Sequence, residues 1–240
     1  MSKFLSVIIP CYNEAGRIAQ TLDAVSHAMP RITRSWEVIA VDDGSTDRTW
    51  EILDGYKRVY GHYIPLRCDH KGKGHAVRVG MLTAEGQYRL FMDADLSTPL
   101  AEIPNALGHM GRADICIGSR EVDPARVQAT QKRRMMGRVF HWLAADLTPG
   151  LLDTQCGFKM FRWDVARRLF QLSQLDGFAF DVEILYLAHL AGYKVHEMPV
   201  TWTHAESQWS KTRASLEMIR DVWRLPFLHR ETFYQLGVKS

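Results

Sequence analysis

No run in this sequence approaches the ~20 apolar residues that a bilayer-crossing helix needs. The opening MSKFLSVIIP also lacks the long apolar core of a secretory signal. These absences predict a cytoplasmic protein whose membrane contact is at most peripheral, on the cytoplasmic face. Cysteine is scarce. Cys11, Cys68, Cys116 and Cys156 are far apart and form no CxxC pair, which excludes a disulfide framework and predicts free thiols in a reducing compartment. The ten histidines make no HxxxH or HExxH pattern, so nothing marks a zinc site. Net charge is small, +3 over 240 residues, and by itself names no partner. What remains is ordinary globular composition, 46% hydrophobic and 24% charged, which suffices to bury a core without staples.

Along the chain, apolar β-rich runs alternate with helical spacing. LSVIIPCY (5–12) reads as a buried strand, with Asn13 as cap for a helix carrying Ile18, Leu22, Val25 and Met29. WEVIAVDDGSTD (36–47) repeats that plan, running into Asp42, Asp43, a Gly-Ser turn and a helix from about Asp47. KGKGHAVRVGMLTAEG (71–86) reads as a helix, YRLFMDAD (88–95) as a strand, Ile103 to Met110 as a helix and ADICIGSR (113–120) as a strand. The second half begins with a charged loop at 121–135. A helix from Met136 to Leu147, a strand at 153–163, a helix from Val182 to Leu190 and a strand at 194–202 follow. This alternation predicts an α/β protein with a Rossmann-like, mostly parallel sheet flanked by helices. It reads as a single compact domain over 1–240, with a nucleotide-type half (1–120), an acceptor-type half (121–205) and an amphipathic C-terminal segment (206–240).

In open parallel sheets ligands bind beyond the carboxyl ends of the strands. Three strands here end in suggestive chemistry: PCYNE, VDDGS and MDADLS. Residues i and i+2 of a strand point to one side, so Asp93 and Asp95 can reach one hard cation. Mg2+ or Mn2+ takes one or two carboxylates together with substrate phosphates. Lys71 to Gly74 add cations and a close backbone, although the Walker spacing is absent; Lys73 is the favoured phosphate or base contact. Turn-forming and solvated roles stay open for Asp42 and Lys73.

The ordered set PCYNE, VDDGSTD, KGKGHA, DADLST, GSR and DTQCGFK resembles family 2, GT-A-fold glycosyltransferases over about residues 4–225. Within them it is similar to polyprenyl-phosphate hexose synthases, the dolichyl-phosphate β-glucosyltransferase and dolichyl-phosphate mannose synthase group. The resemblance implies an inverting transfer of glucose or mannose from a UDP- or GDP-hexose to a polyprenyl phosphate, with a divalent metal. It implies that Pro10, Tyr12 and Glu14 contact the nucleoside, and that Asp42, with Asp43 second, accepts from a base N–H. It further implies that Arg120 and Arg133 or Arg134 hold the lipid phosphate.

The residues support that last point. Arg120, Arg126, Lys132, Arg133, Arg134 and Arg138 are opposed only by Glu121 and Asp123, and guanidinium forks suit phosphate oxygens. No nucleic-acid module accompanies this patch. A phosphate acceptor is already an anionic nucleophile; a hydroxyl acceptor would instead need a base, for which Asp153, Asp181 and Glu183 are candidates. Lys211 is a further acceptor-phosphate candidate. It opens a basic amphipathic segment with Leu216, Ile219, Trp223 and Phe227, which can lie on a membrane surface, pack on the sheet, or both. Processive synthases of the family carry QxxRW, which is missing here.

Overall fold

The LSVIIPC run forms β1 (Leu5–Cys11), in which only Pro10 keeps partial exposure. Such a strand needs cover on both faces, and the rest of the chain provides it. The structure, a computed structural model, describes residues 3–128, 144–203 and 211–235; the side chains of 128, 211–216 and 233–235 lie outside that description. After β1 come α1 (Ile18–Ile32), β2 (Trp36–Asp42), α2 (Thr49–Val59), β3 (Tyr63–Arg67), α3 (Lys73–Thr83), β4 (Tyr88–Met92), α4 (Glu102–His109) and β5 (Ile115–Ser119). A short 3-10 turn (Pro124–Arg126) leads into β6 (Val127–Gln128). β7 (Phe158–Arg162), α5 (Trp163–Leu172), α6 (Phe180–Leu190), β8 (Val195–Pro199), β9 (Trp202–Thr203), α7 (Lys211–Leu228) and α8 (Arg230–Gln235) complete the order.

Seven strands form one sheet in the order β3-β2-β1-β4-β7-β5-β8, and β6 pairs with β9 beside it. β7 runs antiparallel to both β4 and β5, and the other pairs are parallel. The mostly parallel α/β expectation therefore holds. In register, Leu5 pairs with both Trp36 and Tyr88, so the carboxyl ends of β1, β2 and β4 open on one edge. The chain winds both ways from β1, and β1 and β4 flank the point where strand order reverses, where α/β sheets bind ligands.

Alternation sorts the strand residues onto two cores. Val7, Ile9 and Leu90 meet Leu22, Met29 and Ile103 of α1 and α4 on one face. Ile8, Val41 and Phe91 meet Val77, Leu169 and Leu185 of α3, α5 and α6 on the other. A third cluster joins Val222 and Leu225 of α7 to Ala179 and Val182. Full burial of such side chains contributes about 1.5–3 kcal/mol each, enough to seat α7 on α6. Its opposite face still exposes Trp223 at 75% and Phe227 at 74%, so the packing reading of this segment holds and the apolar face that the membrane reading needs is present. Among the described residues no helix is long and apolar enough to cross a membrane, and all four cysteines are free.

Some expectations need correction. Asn13 does not cap α1, which begins five residues later, behind Arg17, without a side-chain cap. Asn13 adopts a left-handed backbone (φ 55°), and its Oδ1 accepts from Thr46 N at 2.9 Å, tying the β1 loop to the β2 loop. The strand expected at 194–202 is split between β8 and β9, and the loop expected at 121–135 contains β6. The helix expected from Met136 falls largely outside the described residues. β3 and α5 are additions to the elements expected from the sequence.

Candidate active site

The cleft lies where β1 and β4 end. It has a volume of about 260 Å³, and Pro10, Tyr12, Glu14, Asp43, Lys73, Asp93, Asp95 and Arg120 all line it. Parallel pairing of β1 with β4 explains how residues so distant in sequence meet. All of these were candidates on sequence grounds, and they share one cavity. Asp42 stands behind it: fully buried, it accepts Ser45 N at 3.0 Å and lies 3.3 Å from Arg67 Nε. It organises the turn, while Asp43 faces the cleft. Arg133 and Arg134 lie outside the described residues. Lys211 is the first residue of α7, and its side chain is outside them.

Beyond the end of β1, Tyr12 stacks on His70 with ring centroids 4.1 Å apart and planes 16° from parallel. Asp43 fixes that histidine through Nδ1 at 2.8 Å and accepts Lys71 N and Gly72 N at 3.1 and 2.9 Å. The Asp-Asp pair therefore divides its work: one carboxylate builds the β2 turn, the other pins the KGKG segment.

Beyond the end of β4, Lys73 Nζ lies 2.6 Å from Asp93 Oδ1. Burial pulls the Lys73 ammonium down, but Asp93, Asp181 and Asp95 outweigh it and the net shift is upward. Asp93 lies against Gly157, where a Cβ would stand 1.9 Å from its Oδ2; no other residue fits there without moving the carboxylate. Asp95 accepts Ser97 N at 2.9 Å. Glu14 is pushed up to about 7, by burial first and by Asp95 and Asp93 after it, against the pull of Arg17.

Whether Mg2+ or Mn2+ suits this corner depends on the donors. Asp93 and Asp95 are two oxygen donors beside a surplus of negative charge, already felt by Glu14. Asp93 stays 34% exposed and faces the cleft. Among the described residues no group of three or more His, Cys, Asp or Glu is arranged to hold an ion. The fit is therefore to a cation that completes its shell with substrate oxygens and water.

Across the cleft, Arg120 is clamped by Asp153: Nε to Oδ2 at 2.7 Å, Nη2 to Oδ1 at 2.8 Å, with the Arg120 backbone N–H on the same carboxylate at 3.0 Å. Its guanidinium lies over Trp202, 5.7 Å from the ring centroid. Burial pulls Arg120 down, yet Asp153 carries its net shift upward. For Asp153 burial pushes up and Arg120 pulls it below the usual carboxylate range. A depressed carboxyl committed to a guanidinium is no general base, which corrects that candidacy. Glu183 is also committed, to His229 and to two loop amides. Asp181 lines the cleft but is likewise committed, as the buried ion-pair partner of Lys159; burial pushes it up against the pull of Lys159 and Lys73. Arg126 pairs with Asp123 at 3.1 Å and is not among the cleft-lining residues.

Sequence reasoning missed His70, Gly157, Gln155, Phe178 and Trp202. Gly157 and Gln155 stand in DTQCGFK, a motif the sequence does single out. Phe178 opens FAFDVEIL, the segment that also holds the candidates Asp181 and Glu183; His70 and Trp202 carry no such signal, because tertiary packing alone brings them here.

A sequence profile of the family described as Glycosyl transferase family 2 matches residues 6–170. The chain is 37% identical to the dolichyl-phosphate β-glucosyltransferase of Drosophila melanogaster, over 92% of this chain and 74% of that protein. It is 34% identical to that of Dictyostelium discoideum, over 98% and 76%, and 32% identical to that of Homo sapiens, over 93% and 78%. Among solved structures, glucosyl-3-phosphoglycerate synthase from Mycobacterium tuberculosis in complex with UDP superposes with TM-score 0.69 at 15% identity, over 99% of this chain and 82% of that one. The same enzyme with Mn2+, UDP-glucose and phosphoglyceric acid gives 0.66 at 16%, over 99% and 81%. At such identity these two establish the fold, that of GT-A glycosyltransferases.

Proposed function

Because this chain belongs to glycosyl transferase family 2 and is a hexosyltransferase, we propose that it transfers glucose from UDP-glucose to a polyprenyl phosphate of the dolichyl type. The observation that carries this reading is one cleft with Asp93, Asp95 and Lys73 on its β4 side and the clamped Arg120 on the other. Such a site can hold two anions at once, a nucleotide diphosphate and an acceptor phosphate. The relatives' names support glucose and a dolichyl phosphate; the mannose and GDP alternative has no support among them. The superposed synthase, solved with Mn2+ and UDP-glucose, supports that donor and a divalent ion.

In this reading Tyr12, backed by the stacked His70, packs against the base, and Glu14 takes a ribose hydroxyl. Asp93 and Asp95 would hold Mg2+ or Mn2+, which when bound supplies positive charge to the diphosphate. Lys73, paired here with Asp93, would supply a second positive charge to the same phosphates. Arg120 grips the incoming acceptor phosphate, together with Arg133 or Arg134.

The acceptor oxygen attacks the anomeric carbon in line, the bond from that carbon to the diphosphate oxygen breaks, and UDP leaves with the electron pair. Configuration inverts, so an α-linked donor gives a β-linked lipid phosphate. A phosphate monoester needs no further deprotonation to attack, so the chain's work is positioning and charge stabilisation. The exposed Trp223 and Phe227, beside Arg220 and Arg224 on α7, support peripheral contact with the membrane that holds the acceptor.

Asp181 favours a second reading. It lines the cleft, and a soluble or glycan hydroxyl acceptor would need a base there; to serve, Asp181 would have to part from its buried partner Lys159. Radiolabel transfer from UDP-glucose and from GDP-mannose, with dolichyl and undecaprenyl phosphate, in Mn2+ or EDTA, separates the two. Label from UDP-glucose in the organic-extractable product, lost in EDTA, supports the first reading. Label confined to water-soluble glycans supports the second.

A further inference from the structure

Glu183 lines no part of the cleft, yet its surroundings reach it. Glu183 and His229 are both fully buried, and His229 Nε2 lies 2.7 Å from Glu183 Oε1. The same carboxylate accepts Gln174 N at 2.7 Å and Leu175 N at 3.0 Å. One buried side chain thus joins three parts of the chain: α6, the 173–178 loop before it, and the α7–α8 junction. Removing one partner from such a set leaves the others buried and unsatisfied.

The loop is held on its other side by α3. Asp176 O accepts His75 N at 3.1 Å, and the Asp176 carboxylate pairs with Arg78. The contact is close: a Cβ on Gly74 would stand 2.6 Å from Leu175 O and 2.7 Å from Phe180 Cβ. α3 begins at Lys73, which reaches Asp93, and the far end of the loop brings Phe178 to the cleft wall. A shift of the loop therefore has to move either Phe178 or the first turn of α3.

We propose that Glu183 is a positioning residue for the donor cleft, setting the loop that carries Phe178 and buttresses Lys73, and that His229 couples this setting to the C-terminal helices. The consequence for donor binding rests on the reading of the cleft given above; the mechanical link does not.

Two measurements on the full chain test it: hydrogen–deuterium exchange, and calorimetric titration with UDP and Mn2+. The variants are Glu183→Gln, His229→Ala and His229→Gln, with Met110→Ala as a destabilised control in a different core cluster. Glutamine at 183 has one accepting oxygen, so one loop amide loses its partner. Glu183→Gln is expected to speed exchange at 174–178 and in the first turn of α3. It should also weaken UDP about tenfold, the order set by losing one hydrogen bond to a charged group. His229→Ala should shift both readouts in the same direction by less, and His229→Gln, which can still donate to Glu183, should restore them. Met110→Ala should lower the melting temperature and leave both unchanged. Exchange that rises only at 229–235 in His229→Ala, with UDP affinity unaltered, overturns the proposal. So does Met110→Ala weakening UDP as much as Glu183→Gln. Should Glu183→Gln not fold, His229→Ala decides alone, since it leaves the carboxylate and both loop bonds in place. If the wild type takes up no UDP while loop exchange responds, the link stands and the donor reading falls.

Discussion

Two cation–carboxylate pairs face each other across the cleft, and they differ in what surrounds them. Lys73 meets Asp93 at 2.6 Å, with the carboxylate 34% exposed. Arg120 meets Asp153 at 2.7 Å, with the carboxylate 5% exposed and further committed to the backbone N–H groups of Arg120 and Gln155. The first pair is exchangeable: Asp93 can turn to a cation and Lys73 to a phosphate without opening the core. The second is a scaffold, because parting it would leave a buried charge uncompensated. The Lys73 side can therefore reorganise around a ligand, whereas the Arg120 side holds one guanidinium in place. The same chemical pair serves as a switch or as a mount according to burial.

The sharpest test of that contrast is Asp153→Ala. It should cost about 3–5 kcal/mol, as expected for removing one partner of a buried pair. The melting temperature should then fall by roughly 6–20 °C for a chain of this size. A loss no larger than that of Asp93→Asn would erase the distinction. Next come Asp93→Asn and Asp95→Asn, which should lower glucosyl transfer by about 10²–10³-fold, comparable to removing one preorganised charge-stabilising group. Their melting temperatures should stay near that of the wild type. Gly157→Ala refines the same side: its Cβ would displace Asp93, and transfer should drop by up to about 10²-fold, as for a misplaced reacting group.

The smallest effect concerns pH. The Glu14 carboxyl is raised from its ordinary value to about 7 in the folded chain. Between the unfolded value near 4.5 and about 7, the native state holds a proton that the unfolded state has released. Stability should consequently fall as pH rises through that window. Glu14→Gln should flatten this part of the profile, read from urea midpoints at constant ionic strength. An unchanged slope would mean that folding does not raise the Glu14 carboxyl.

How much of this is legible in the sequence follows the physics of each element. β1, β2, β4 and β5 are readable because a strand buried on both faces is a continuous apolar run, and their loops carry the chemistry. α1 is readable from Ile18, Leu22, Val25 and Met29, all of which are buried. β3 is not, because YIPLR is an edge strand with Pro65 inside it and alternating exposure. α5 does carry a signal that the reading passed over: Val165, Ala166, Leu169 and Phe170 fall at helical spacing and are buried. The antiparallel insertion of β7 leaves no mark in a local pattern. The pairing of Arg120 with Asp153 and the stack of Tyr12 on His70 join residues 33 and 58 positions apart, which no local spacing encodes. Asp42 and Asp43 carry the right chemistry, but which of them faces the cleft depends on a turn that only the fold fixes.

The most direct measurement is a crystal of the full chain grown with UDP-glucose and Mn2+, with data collected at the manganese absorption edge. The account predicts one anomalous peak within bonding distance of Asp93, Asp95 and the diphosphate, with Lys73 moved from Asp93 towards a phosphate oxygen and Arg120 still on Asp153. A diphosphate bound away from both aspartates, or a manganese peak elsewhere, would contradict it.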